Sequence, residues 1–242
     1  PSTTAIGELP VNPRLRAFLD DVVADAPGQQ HAGAVAVAVF GHVTLGRGDD
    51  IMKGGFGDDI YIVDSVGDVV TDEFNGGIDR VDSSVSYTLG SNVENLVLTG
   101  TGNLNGTGND LDNVLTGNSG DNVLDGGAGN DLLDGGAGDD RFALQSGFGA
   151  DTLTGGETGE TAGDVLDASG LAGDQVVTFA GAEAGSLTGS SGTVVFSQIE
   201  GIALGAGNDL VTGAAGNDSV SLGGGNDSAY GGAGNDSLFG GS

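Results

Sequence analysis

The chain has 242 residues, of which 50 are glycine, and 35 acidic against 6 basic residues give a formal net charge of −29. Cysteine and tryptophan are absent, which excludes a disulfide scaffold or a cysteine zinc site, and the cations are too few for the basic face that nucleic acid demands. The longest apolar run, Ala32 to Gly41, is about half of what a membrane span needs.

A chain this rich in glycine and acid is expected to stay disordered unless a counter-charge folds it, because ordering the backbone costs entropy and the acids repel. Residues 1–34 differ from the rest. Asn12-Pro13 reads as an N-cap and first helical position. Leu15, Phe18, Leu19, Val22 and Val23 then follow helical spacing until Ala26-Pro27-Gly28. This predicts a short N-terminal helix or linker. Val35 to Leu45 is predicted as a strand leading onward.

From Leu45 a nine-residue pattern begins, G-G-x-G-x-D-x-U-x with U apolar. Its first block has Asp50, Asp59 and Asp68, each two residues before Met52, Tyr61 and Val70. Residues 72–107 carry alternating apolar positions such as Val85, Tyr87 and Leu89, and are predicted as wider coils of the same stack. The second block starts at Gly108, Gly117, Gly126 and Gly135, with apolar Leu115, Leu124, Leu133 and Phe142. Its acidic positions are Asn113, Asn122, Asp131 and Asp140, so the first two are amides.

Residues 154–203 are predicted as irregular connecting coils, with Val165, Leu166, Val176, Val177 and Phe179 as candidate strand residues. Ile199 and Ile202 return the chain to register. The third block, 204–242, repeats the pattern four times, with Asp209, Asp218, Asp227 and Asp236 before Val211, Val220, Ala229 and Leu238. A further copy is cut off at Gly240-Gly241, and the lack of an opening methionine adds to the expectation of an excised piece. The expected organisation is therefore 1–34 helix or linker, 35–153 first blocks, 154–203 connecting coils and 204–242 the last, truncated block.

This resembles the repeats-in-toxin (RTX) family, the haemolysin-type calcium-binding nonapeptide. Ranks of four copies in register carry the resemblance, and the stretches Tyr87 to Leu98 and Gly163 to Ser169 are more loosely similar to sequence associated with it. The physics of the unit agrees. Glycines permit the positive φ of a tight turn and let carbonyls point at one spot. The aspartate adds a hard anionic oxygen, which suits a flexible calcium cage better than zinc or the stricter octahedron of magnesium. The x-U-x triplet is a short strand whose middle side chain faces inward.

The fold class implied is all-β: a right-handed parallel β-roll, or β-solenoid, with several Ca2+ ions between stacked turns. By the same resemblance, an earlier turn gives two carbonyls and its aspartate, and the turn 18 residues later gives two more carbonyls and its own. Carried onto this chain, one metal site is Gly205, Gly207 and Asp209 with Leu222, Gly224 and Asp227. A second is Ala214, Gly216 and Asp218 with Gly231, Ala233 and Asp236. The first block offers Gly46, Gly48 and Asp50 with Asp68, whereas Asp59 with Asp79 needs a two-residue bulge. In the middle block Asn113 pairs with Asp131 and Asn122 with Asp140, alongside Gly126, Ala128, Gly135 and Ala137. Each of those pairs has lost a charge, so weaker or empty sites are expected there. Asp151 follows Asp140 by eleven residues, a slip that places it near Asp131.

Other motifs have blander readings. His31 and His42 assemble no catalytic triad. Arg47-Gly48-Asp49 and the sequon Asn217-Asp218-Ser219 both fall out of the repeat. The positions beside U form no threonine rank of the kind an ice-binding face requires. The expected function is a non-enzymatic calcium-binding module of a secreted bacterial protein that leaves the cell unfolded through type I secretion machinery and folds outside. The alternatives are an accessory module of a secreted hydrolase or alginate-modifying enzyme, or a surface-layer or adhesin segment.

Overall fold

The structure is a computed structural model that describes residues 48–241 and, as backbone strands, 35–37 and 42–44. The helix expected within 1–34, and Gly46, lie outside the described residues.

The chain enters through β1 (Val35–Val37), β2 (His42–Thr44), β3 (Ile51–Lys53), β4 (Ile60–Val63) and β5 (Val69–Thr71). It continues through β6 (Arg80–Ser83), β7 (Tyr87–Thr88), β8 (Asn95–Leu98) and β9 (Asn105–Thr107). Three-residue strands follow: β10 (Val114–Thr116), β11 (Val123–Asp125), β12 (Leu132–Asp134) and β13 (Arg141–Ala143). Longer ones come next, β14 (Gly149–Thr154), β15 (Val165–Ala168), β16 (Val176–Gly181), β17 (Ala184–Gly189), β18 (Gly192–Ser197) and β19 (Gly201–Leu204). The chain closes with β20 (Leu210–Thr212), β21 (Ser219–Ser221), β22 (Ser228–Tyr230) and β23 (Ser237–Phe239). The described residues hold no helix, and so none long and apolar enough to cross a membrane.

Outside residues 176–197, consecutive strands alternate between two faces and each pairs in parallel with a strand one rung on. A twelve-stranded sheet runs β2-β4-β6-β8-β10-β12-β14-β18-β17-β16-β20-β22. The other strands form a three-stranded sheet, β1-β3-β5, and an eight-stranded one from β7 to β23. Parallel neighbours need a crossover, and here the intervening strand on the opposite face supplies it. Leu115 thus lies beside Leu133, Leu124 beside Phe142, and Val220 beside Leu238.

The strands are short because only the middle residue of each x-U-x triplet has a core to enter. Met52, Tyr61, Leu115, Leu124, Leu133 and Phe142 are buried in one continuous cluster drawn from both faces. The flanking residues alternate outward, as the two-residue strand period requires. Turns in between need glycine at specific points: Gly136, at φ 100°, sits in a region that a side chain disfavours.

Three regions depart from the simple pattern. Val35 to Leu45 holds two strands rather than one, because β1 pairs with β3 while β2 pairs with β4 on the other face. Residues 72–107 are not uniformly wider. Asp59 and Asp79 are bonded at a spacing of 20, but Asp79 and Glu94 at only 15. The odd-numbered face breaks between β5 and β7, where the Tyr87 hydroxyl accepts the Val70 N–H at 3.1 Å. Finally, β16, β17 and β18 form an antiparallel meander inserted between β14 and β20, while β15 pairs directly with β19 on the opposite face. Alternate burial of Val177, Phe179, Leu187, Val194 and Phe196 holds it to the core, and the Phe179 and Phe196 rings meet edge to face at 5.7 Å.

Candidate metal centre

Most rungs bring an acid or amide to the same place, the residue just before a strand or, for Asp151, within it. Where these form a ladder, the acid's side chain accepts the backbone N–H of the equivalent residue one rung earlier. On the twelve-stranded sheet, Asn113 N–H donates to Asp131 Oδ1 at 2.8 Å and Asp131 N–H to Asp151 Oδ1 at 2.9 Å. Further along, Gln175 N–H donates to Asp209 Oδ1 at 2.8 Å and Asp209 N–H to Asp227 Oδ1 at 3.0 Å. On the other face Asn122 donates to Asp140, Asp140 to Asp164, and Asp218 to Asp236, at 2.7, 2.7 and 3.2 Å. Asp50 and Asp68 make the same bond at 2.9 Å. The carboxylates form ladders because the strands do.

One oxygen of each acid is thereby satisfied. The other is not: Oδ2 of Asp131, Asp140, Asp164 and Asp209 is buried and meets no hydrogen-bond donor. A buried, undonated carboxylate oxygen is costly. Burial accordingly pushes Asp131 and Asp140 up to about 6, and Asp151 and Asp164 to about 7, against the lowering by the N–H each accepts. Burial raises Asp209 and Asp218 as well, with Asp227 and Asp236 respectively adding to the repulsion. Arg80 pairs with Asp82 and Arg141 with Asp167, away from the ladder oxygens of Asp131, Asp140, Asp164 and Asp209.

Glycine makes the room. A Cβ at Gly126, Gly135, Gly155, Gly213 or Gly231 would run into the second oxygen of Asp131, Asp140, Asp164, Asp218 or Asp236 respectively. The acid therefore folds back over its own turn, into space that a side chain would close. All the donors gathered there are hard oxygens, the chemistry of Ca2+ rather than of zinc or copper.

The turns that the sequence pairs are stacked as neighbours. Gly224 N–H donates to the Gly205 carbonyl at 2.8 Å, and Gly207 N–H to the Gly224 carbonyl at 2.9 Å. Ala233 N–H donates to the Ala214 carbonyl, and Gly216 N–H to the Ala233 carbonyl, both at 2.8 Å. Each such carbonyl keeps a second lone pair. Leu222 is buried against the core. Ala128 and Ala137 donate their N–H groups to the Asn109 and Asn118 carbonyls. Gly48 takes φ 134° two residues before Asp50. Asp68 differs from the rest, because its Oδ2 accepts the N–H groups of Asp64 and Ser65 at 3.1 Å each.

The nonapeptide pattern missed several residues in the same positions. Asp164 and Glu200 precede β15 and β19, and Glu94 precedes β8. With Glu160, the first two gather carboxylate oxygens within 4.8 Å of one another, as do Asp59, Asp72 and Asp79. A broader signal finds most of them. An acid two residues before a buried apolar position recurs at Asp79-Arg80-Val81, Glu94-Asn95-Leu96, Asp164-Val165-Leu166 and Glu200-Gly201-Ile202, with or without the glycines.

The profile of the RTX calcium-binding nonapeptide repeat matches four stretches, residues 42–70, 107–142, 202–229 and 213–242. A segment of 64 residues is 42% identical to part of the endo-1,3-1,4-beta-glycanase ExsH of Rhizobium meliloti (strain 1021). That segment is 26% of this chain and 14% of that protein. The matched stretches contain the ladders at Asp50 and Asp68, at Asp131 and Asp140, and at Asp209 to Asp236: the chain carries the RTX calcium-binding nonapeptide repeat.

Proposed function

We propose that the chain is a calcium-folded module of a secreted protein, without catalysis of its own. In this reading the stack is a right-handed parallel β-roll whose turns are joined by several Ca2+ ions, held by the aspartate ladders and the carbonyls of the turns between them. The observation that carries it is the set of buried Oδ2 atoms at Asp131, Asp140, Asp164 and Asp209, which lie on both faces of the stack, meet no donor and would be relieved by a cation. Binding and folding then become one event. Low cytosolic calcium leaves the chain incompletely folded for export through type I secretion machinery, and extracellular calcium, whose modules typically bind at about 0.1–1 mM, closes it.

The test is far-UV circular dichroism of the whole chain during a calcium titration, with magnesium as control. The expected result is coil in part of the chain, most of all in the last block, giving way to strand with calcium, and little response to magnesium. Full strand content after exhaustive chelation refutes the proposal.

The stretch shared with a glycanase favours one refinement, an accessory module of a secreted hydrolase. Light scattering with calcium separates it from a surface-layer or adhesin segment. An accessory module stays small, and a surface-layer protein assembles.

A further inference from the structure

Between the second and third blocks the ladder on the eight-stranded sheet crosses the inserted meander. We propose that Glu160, Asp164 and Glu200 form a calcium site of their own there, one that pins together the two strands that flank the insertion. It lies outside the matched repeat stretches, and it rests on the calcium reading above only for the identity of the cation.

The three residues reach one point from different parts of the chain. Asp164 leads into β15 and Glu200 into β19, strands that pair side by side although 36 residues separate these two acids. Asp164 N–H donates to Glu200 Oε2 at 2.5 Å, and Asp164 Oδ1 accepts the Asp140 N–H at 2.7 Å. That leaves Asp164 Oδ2, on a fully buried residue, and Glu160 Oε1 with no donor. One oxygen from each carboxylate lies within 4.8 Å of the others.

Glu160 is held there by its neighbours. The Asp139 carboxylate accepts the N–H groups of Thr161, Ala162 and Gly163 at 2.7, 2.9 and 3.0 Å, and the Thr161 hydroxyl at 2.6 Å. The loop is thus anchored without using Glu160, whose side chain remains available. The Gln198 carbonyl and Asp164 Oδ2 converge on the space that a Cβ at Gly155 would take. Gln198 has φ 57°, a backbone conformation uncommon outside glycine.

The surroundings are of one sign. Glu157, Glu183 and Asp139 add their charges to Glu160 and Glu200, and the nearby Arg141 is paired with Asp167. Three carboxylates and a carbonyl make a hard-oxygen set, and its irregular arrangement suits calcium's flexible shell of six to eight oxygens better than magnesium's octahedron. The nonapeptide pattern takes its ligands from glycine turns one rung apart. This site instead takes two glutamates and an aspartate from the segments leading into β15 and β19, so its ion would fasten together the two strands that flank the meander.

Calcium counted per chain by equilibrium dialysis, on the whole protein, tests the site. E160Q keeps the side-chain volume and leaves every ladder hydrogen bond in place, so it is expected to fold; E160Q/E200Q removes two charges. The single variant should weaken one ion by about tenfold or more, and the double variant should bind one ion fewer. In the wild type, calcium should slow hydrogen exchange across 155–164, and in the double variant it should not. Equal ion counts and affinities in wild type and both variants overturn this site while leaving the repeat sites standing. A wild-type chain that binds no calcium overturns both.

Discussion

The middle block, 107–142, and the last block, 204–241, share a repeat but not a means of stability. In the middle block the inward positions are Leu115, Leu124, Leu133 and Phe142, all fully or almost fully buried. The last block has Val211, Val220, Ala229 and Leu238 there; Ala229 is exposed and Leu238 only half-buried. The turns differ in the opposite sense. Asn113 Oδ1 accepts the Asn109 N–H at 2.7 Å, and its amide donates to the carbonyls of Val93 and Glu94 at 3.3 and 3.1 Å. Asn122 does the same through the Asn118 N–H and the Leu104 carbonyl, at 2.8 and 2.9 Å. An amide carries both donor and acceptor, so it closes its turn and caps the carbonyls of the previous rung unaided. Aspartate offers only acceptors, and in the last block Asp209 faces Asp227 and Asp218 faces Asp236 across one rung. The repeat therefore has two solutions to one problem: a large core with turns closed unaided at Asn113 and Asn122, although not at Asp131 and Asp140, or a small core with turns that all need a cation.

Chelation should pull the two solutions apart, and this is the largest effect expected. Hydrogen exchange followed by mass spectrometry should show strands β20 to β23 losing protection by orders of magnitude when calcium is removed, while β10 to β13 retain most of theirs. Equal loss in both blocks breaks the comparison. Point substitutions should divide in the same way. Asp227→Ala removes an acceptor and a charge from the last block and should raise the calcium needed to fold it several-fold, more than Asn113→Ala does for the middle block. Asn113→Ala removes a group with several buried hydrogen bonds and should cost about 1–3 kcal/mol whether or not calcium is present. Denaturant titrations with and without calcium check both.

Most of this was legible in the sequence because the nine-residue period writes strand, turn and acid at fixed offsets. Leu124 and Asp140 each have one environment, and the register dictates it. Legibility failed where spacing changed. Asp79 and Glu94 lie 15 residues apart, and no nonapeptide count predicts that bond. The meander kept its two-residue alternation in Val177, Phe179, Val194 and Phe196, so strands were foreseeable there. Its antiparallel path was not, because that depends on which edge a hairpin finds, a long-range choice. Glu160 escaped for a related reason: its role depends on Asp139 drawing in a loop 22 residues away, and no local motif records that.

Acid should partly substitute for calcium. Burial raises Asp131, Asp140, Asp151 and Asp164 to between about 6 and 7 in the folded chain, whereas an unfolded aspartate loses its proton near about 4. Between those values the folded state binds more protons, so the stability of the metal-free fold decreases as pH rises. That contribution is complete below about 4 and is lost as pH passes through 6 to 7. Metal-free protein should therefore melt higher at pH 5 than at pH 8. In the last block, where Asp209 and Asp218 are also raised, exchange protection should partly return at pH 5. With saturating calcium the trend should reverse, because protons and ions compete for the same oxygens.

The finest test converts one solution into the other. Asn122→Asp changes an amide nitrogen into an oxygen and places an aspartate one rung before Asp140, the arrangement that Asp209 and Asp227 already have. Without calcium the variant loses the Nδ2 bonds to the Leu104 carbonyl and to Asn118 Oδ1, although Asn118 Oδ1 keeps the Gly120 N–H, and sets a second carboxylate beside Asp140. The middle block should then be less stable by about 1–3 kcal/mol. With calcium that loss should shrink and the chain should take up its ions more tightly, because the new oxygen is a ligand where the amide was a plug. The Leu124 and Phe142 core is untouched, so the block still folds in both conditions and the difference isolates the turn. If Asn122→Asp is equally destabilised with and without calcium, the amide was not standing in for a cation, and the contrast between the blocks reduces to the size of their cores.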